Sequence, residues 1–234
     1  FPLGMCMYAN TFVSQYFGAG QHHKIGPSVW QAVWVGVIST PIILLLILPM
    51  AGPIFRAAGH SAAVRGEEIA YFQILCAGSA AMLISHAFSA FYSGQGRTVV
   101  VMVIDCLTAL ANIVLDSFWI FGGGGFAAHG IEGAAWATVV ALWGRVLVYV
   151  VLLLARRNRV EFASMRMAFN GPLMKRLFAY GAPSGLQMFL EVIGFTAFVF
   201  LVGSLGDTEL AATNLAFNVS SLAFMPVFGL ATAA

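Results

Sequence analysis

The chain has 234 residues, 60% of them hydrophobic and 9% charged, with a formal net charge of +2. Soluble domains carry about 25% charged residues because a compact surface needs hydration. Eleven basic and nine acidic side chains cannot hydrate a body of this size, which excludes a soluble enzyme, a nucleic-acid binder and a disordered chain. What remains is an all-α polytopic membrane protein, because the apolar runs are long and continuous rather than short and alternating as in a barrel.

A spanning helix needs about 20 mostly apolar residues. In chain order the qualifying stretches are 1–18, 28–51, 67–93, 98–121, 131–155, 180–203 and 209–234. Breakers separate them: Gly18-Ala19-Gly20, the stretch 52–66, Gly94-Gln95-Gly96, the glycines 122–125, and Leu205-Gly206-Asp207. The 67–93 stretch is rich in Ala, Gly and Ser, which suit close helix contact better than lipid contact. Between 156 and 179 lies the one long polar stretch, and its second half, Pro172 to Phe178, predicts a short amphipathic helix on the membrane surface. Phe1 and Ala234 both sit in apolar runs, so the chain reads as a fragment cut inside helices, with no charged signal-peptide region before Phe1. Cys6, Cys76 and Cys106 are odd in number, form no CxxC and read as packing residues.

The Lys/Arg count in alternate loops sets the orientation. Lys24, Arg97, Arg156, Arg157, Arg159, Arg166, Lys175 and Arg176 fall on one side, and Arg56 and Arg65 on the other. The 156–176 loop is therefore cytoplasmic, and the loops at Gly122 and Gly206 face outward.

Ionisable groups at bilayer depth cost at least about 2.5 kcal/mol each, so they are functional candidates. Asp105, Asp116, Arg145 and Glu191 qualify. Asp105, Asn112 and Asp116 are spaced by seven and four, which puts them on one helical face together with Thr98. At 1.5 Å per residue Asn112 and Thr138 both lie about 10 Å below the outer boundary. Asp116 is one turn further out. Carboxylate, amide and hydroxyl oxygens together suit a hard cation such as Na⁺, and a carboxylate can hold a proton instead. Asp105 and Arg145 share a deeper level and read as a buried structural ion pair. Ser184, Gln187 and Glu191 form a second stripe, beside a Gly181/Gly185 pair that permits close packing. Glu191 has no basic neighbour on its helix and can carry a proton there; Ser184 and Gln187 are candidates to line a substrate cavity.

His22-His23 read as a solvated turn, His86 as packing, and Asn218-Val219-Ser220 as inert within a span. No HExxH or GxSxG occurs, so nothing favours a membrane enzyme.

Several segments resemble the multidrug and toxic compound extrusion (MATE) family. Residues 11–20 (Thr-Phe-Val-Ser-Gln-Tyr-Phe-Gly-Ala-Gly) look like the end of that family's second helix, and Gly94-Gln95-Gly96-Arg97-Thr98 like the turn before its fifth. Asn112 to Asp116 is similar to the fifth-helix signature, Gly130 to Thr138 to the start of the sixth helix, and Gly181 to Glu191 with Leu210-Ala211-Ala212 to the seventh helix and the entry to the eighth. The NorM-like bacterial branch fits best. The resemblance implies two six-helix lobes, with 1–157 as the amino-terminal lobe lacking its first helix, 158–179 as a cytoplasmic linker and 180–234 as the start of the second lobe. Two like lobes imply an internal repeat, with Phe1-Pro2-Leu3 answering Met225-Pro226-Val227. It also implies a drug antiporter of the bacterial inner membrane, monomeric when full length and with no cofactor beyond a coupling Na⁺ or H⁺. Its partners would be amphipathic or cationic small molecules and the bilayer, not nucleic acid. Asn112, Asp116 and Thr138 would map onto the first-lobe cation site and Glu191 onto the second-lobe site. A lipid or lipid-linked oligosaccharide flippase is the alternative, and a membrane enzyme or scaffold subunit a more distant one.

Overall fold

The computed structural model describes residues 1–57, 62–122 and 128–233. The described residues form ten α-helices in chain order: α1 (Pro2–Gly18), α2 (Ile25–Ile47), α3 (Ala51–Ala57), α4 (Ala62–Ala77), α5 (Ser79–Ser93), α6 (Thr98–Phe121), α7 (Gly130–Leu153), α8 (Arg156–Glu161), α9 (Gly171–Gly203) and α10 (Asp207–Ala233). Short 3₁₀ turns precede α2 and α3. Residues 58–61 and 123–127, which include most of the Gly122–Gly125 stretch, lie outside the described residues. The runs His22–Arg56, Thr98–Phe121, Gly130–Leu153 and Gly171–Gly203 are long and apolar enough to cross a membrane, and α4 with α5 make a fifth, bent crossing. The other two expected spans are the 17-residue α1 and the 27-residue α10.

Two expectations are corrected. The 67–93 stretch is not one straight helix but two, meeting at Gly78 with a bend of 42°. A Cβ at Gly78 would lie 2.5 Å from Val139 Cγ2 of α7, so the backbone passes α7 where no side chain fits. The expected surface helix at 172–178 is no separate element. Pro172 stands near the start of α9, where a missing N–H costs nothing, and the helix then continues unbroken to Gly203 with Pro183 inside it.

The chain divides into two compact units, Phe1–Leu186 and Gln187–Ala234. In the first, α1, α2, α5 and α7 share a core that includes Met5, Val13, Val29, Phe88, Phe91 and Tyr149. Burying each such side chain contributes roughly 1.5–3 kcal/mol relative to exposure in water, less where the alternative is lipid. The first turns of α9 join this core through Met174 and Leu177. Gly181 and Gly185 lie against α1: a Cβ on Gly185 would meet the Phe1 carbonyl oxygen at 2.7 Å. Small residues at that crossing let two backbones approach as large ones cannot.

The polar stretch after α7 is fastened to the helices. Trp30 Nε1 donates to Ser164 O at 2.6 Å, Trp34 Nε1 to Met167 O at 2.9 Å and Gln31 Nε2 to Ala168 O at 3.2 Å. Asn158 Nδ2 donates to Tyr92 Oη at 3.1 Å, and Phe162 is buried against Phe91. Each bond satisfies loop backbone or a side-chain amide that burial would otherwise leave unpaired.

The second unit holds the latter part of α9 and α10, with Phe217 packed edge-on against Phe195 and Phe198. Most of its described side chains are exposed, as on a surface that meets lipid or further protein.

Candidate cation and substrate site

Helices α6 and α7 pack side by side and carry the candidate residues at matching heights. α6 otherwise presents apolar side chains outward, Leu110 and Ile113 among them, and Ile104 is its one fully buried residue. Its polar stripe is therefore the face turned to α7. Asn112 Nδ2 donates to Thr138 Oγ1 at 3.5 Å, and Thr138 Oγ1 donates to Ala134 O one turn back at 3.1 Å. The Thr138 hydroxyl thus spends its proton on its own helix and receives the amide from the other, which fixes both rotamers and leaves the Asn112 amide oxygen available.

One turn beyond Asn112, Asp116 is half-buried. Its Oδ1 is fully enclosed and finds no hydrogen-bond partner among the described residues. A buried carboxylate oxygen without a donor is costly. Nearer the α6 start and the α7 end, Arg145 Nη2 donates to Asp105 Oδ1 at 2.7 Å. The pair exists but is less buried than the sequence suggested, with Arg145 10% exposed and Asp105 48%. Arg145 reaches from within α7 across the Tyr149 ring, 5.8 Å from its centroid, and only the carboxylate sits at the margin. Asp105, Thr108, Asn112, Thr138, Leu142 and Arg145 line a cleft of about 260 Å³ between the two helices.

Thr108 and Tyr149 were not singled out from sequence, yet the spacing held the signal. Thr108 lies three residues after Asp105 and four before Asn112, on the same stripe, and Tyr149 lies four after Arg145.

Ser184 is half-buried in the first unit. In the second unit Gln187 Nε2 donates to Glu191 Oε1 at 2.9 Å, and both are exposed. His22 stacks on Phe17 and pairs with Glu161 at 3.4 Å rather than sitting free in a solvated turn. Cys6 is buried, its Sγ 3.4 Å from Ala32 O. No group of three or more His, Cys, Asp or Glu placed to hold a metal ion occurs among the described residues.

The MatE family model matches residues 1–118 and 183–234. The multidrug resistance protein NorM of Vibrio cholerae is 31% identical over 229 residues, covering 96% of this chain and 50% of that protein. The probable multidrug resistance protein NorM of Thermotoga maritima is 26% identical over 230 residues, covering 97% and 49%. Among solved structures, an outward-facing multidrug resistance MATE family transporter superposes with a TM-score of 0.84 at 22% identity, over 99% of this chain and 51% of that one. A transporter of the MOP superfamily from Pyrococcus furiosus gives 0.83 at 22% identity over 99% and 51%. The chain spans about half the length of the curated relatives it matches. With more than half of its residues inside the family model and the fold shared with MATE structures along nearly its whole length, the chain is a multi-pass membrane protein that belongs to the MatE family.

Proposed function

We propose that this chain is part of a secondary active multidrug antiporter of the bacterial inner membrane, exporting amphipathic or cationic compounds in exchange for Na⁺ or H⁺. Residues 1–157 belong to the first lobe, 158–179 connect the lobes on the cytoplasmic side, and 180–234 open the second. The multidrug resistance names of the NorM relatives support this reading.

The observation that carries it is the enclosed, unpartnered Oδ1 of Asp116 one turn from the Asn112–Thr138 contact. Charge and oxygen ligands fit a Na⁺ there, and the carboxylate alone fits a proton. Either occupant removes one uncompensated negative charge from a low-dielectric helix face. An ion that binds one arrangement of the lobes better than the other shifts the equilibrium toward it, by no more than its difference in affinity. Drug bound in the opposite arrangement is then released outside, as alternating access requires. Glu191 plays the corresponding part in the second lobe, with Gln187 and Ser184 contributing to the substrate cavity. Within the α6–α7 cleft the charge of Arg145 is matched by Asp105 at 2.7 Å, so that cleft offers a phosphate no uncompensated cation.

The test uses the full-length protein in proteoliposomes with Na⁺ and pH gradients imposed separately. Drug export follows one of the gradients, and Asp116→Asn lowers gradient-driven export about tenfold or more. Export independent of both gradients, or an Asp116→Asn variant with unchanged export and cation dependence, overturns the reading.

A further inference from the structure

A second cleft, sharing no lining residue with the α6–α7 site, lies where the end of α1, the turn before α2, the polar loop and the start of α9 meet. It measures about 360 Å³, and Tyr16, His23, Lys24, Arg166, Asn170 and Arg176 are among the residues that line it. Three permanent cations therefore converge on one cleft, and no carboxylate lines it. None of the three makes an ion pair among the described residues. The nearby loop carboxylate, Glu161, is occupied by Arg157 at 3.1 Å and His22 at 3.4 Å.

The partners the cations do have are neutral and orient them without cancelling charge. Lys24 Nζ donates to Gln21 Oε1 at 2.9 Å and lies 5.7 Å from the centroid of the Tyr16 ring. Arg176 Nη1 donates to Tyr16 Oη at 3.0 Å, and its guanidinium lies 5.6 Å from the Phe12 ring centroid. Arg166 makes no side-chain bond and is exposed. The loop that bears it is held still: Asn170 N donates to Gln31 Oε1 at 3.1 Å, and Trp30, Gln31 and Trp34 bind its carbonyls. Lys24 and Arg176, held in place by neutral partners, lose little freedom when an anion docks, and guanidinium forks match phosphate oxygens.

We propose that this cleft binds the phosphate headgroup of an anionic glycerophospholipid from the cytoplasmic leaflet. Basic pockets between spanning helices on that side suit acidic headgroups. The same elements expose Phe169 on the loop and Phe178 on α9, apolar surface suited to acyl chains rather than to a soluble anion. A headgroup seated there bridges the turn before α2 to the first turns of α9. The inference rests on the proposed cytoplasmic placement of residues 158–179 but not on ion coupling, since neither Asp116 nor Glu191 takes part.

The experiment is native mass spectrometry of the full-length protein in detergent, titrated with phosphatidylglycerol or phosphatidylcholine. The wild type retains phosphatidylglycerol in preference to phosphatidylcholine. The variant K24Q/R166Q/R176Q loses about a hundredfold in phosphatidylglycerol affinity, whereas the charge-matched control R156Q/R157Q/R159Q, which alters loop cations outside the cleft, keeps it. R166Q alone, at an exposed side chain without bonds, gives a smaller loss in the same direction and serves where the triple variant unfolds. Equal retention of both lipids, unchanged affinity in the cleft variants, or an equal loss in the control overturns the proposal. Displacement of phosphatidylglycerol by millimolar inorganic phosphate would assign the cleft to a soluble anion and overturn the lipid assignment.

Discussion

Asp116 and Glu191 are both carboxylates within apolar helices, and this chain surrounds them very differently. Asp116 has an enclosed oxygen and an amide–hydroxyl contact one turn away, bridging α6 to α7. Glu191 is exposed, with one hydrogen bond from Gln187 on its own helix. The first environment is built by two helices of one compact unit. The second is a single helix face. A carboxylate enclosed by its own fold has its partners chosen for it, whereas one on an open face takes its environment from whatever covers that face. The chain spans about half of its relatives' length, so the comparison bears on which half of the transport cycle each residue can be tested in.

The largest expected effect is on transport. Asp116→Asn keeps the shape and removes the charge, and gradient-driven export falls about tenfold or more in proteoliposomes. An equal fall for Asn112→Leu or Thr138→Val would sharpen the comparison by showing that the oxygens act as one set. A fall for Glu191→Gln alone would reverse it.

The next effect concerns stability at the Asp105–Arg145 end of the same cleft. Asp105→Asn strands the buried guanidinium of Arg145, which cannot shed its charge, and costs about 3 kcal/mol. Arg145→Met leaves Asp105 at the margin, where it is 48% exposed, and costs less. Thermal unfolding of the two full-length variants measures the difference. Equal losses would mean that the environment of the pair, not the burial of one partner, sets the cost.

Much of this organisation can be read along the chain because it depends on local periodicity. The apolar runs mark the helices, and intervals of four and seven mark the stripe of Asp105, Asn112 and Asp116. A fixed rise per residue brings Asn112 and Thr138 to one height, where the structure has them in contact at 3.5 Å. What cannot be read locally depends on contacts distant in sequence. At the break, Gly78 lies where Val139, 61 residues on, leaves no room for a Cβ. Trp30 and Trp34 belong by composition to an apolar run, yet their indole N–H groups fasten a loop 134 and 133 residues away. The expected span began at 180, but α9 runs from Gly171 through Pro183 to Gly203, with Gly181 and Gly185 packed on α1 as their spacing suggests. The Asp105–Arg145 pair was foreseeable by height, whereas its uneven burial was not, because height says nothing about which partner sits under Tyr149.

The smallest effects separate the two compact units through glycine. Gly26 donates its N–H to Phe162 O at 2.9 Å, and a Cβ there would overlap the Ala163 carbonyl. That carbonyl is backbone of the fastened loop, so it cannot swing aside as a side-chain tip would. Gly26→Ala is therefore expected to cost about 2 kcal/mol, in the range of overpacking, and to lower the unfolding temperature of the full-length protein. Gly194, in the second unit, has open space where its Cβ would stand. On that face Gly194→Ala adds helix propensity worth up to about 1 kcal/mol and meets no resistance from this chain. A gain or no change places lipid over Gly194. A loss comparable to that of Gly26→Ala places another protein segment there, packed as closely as the loop is on α2, and with it a built environment for Glu191 three residues earlier on the same helix.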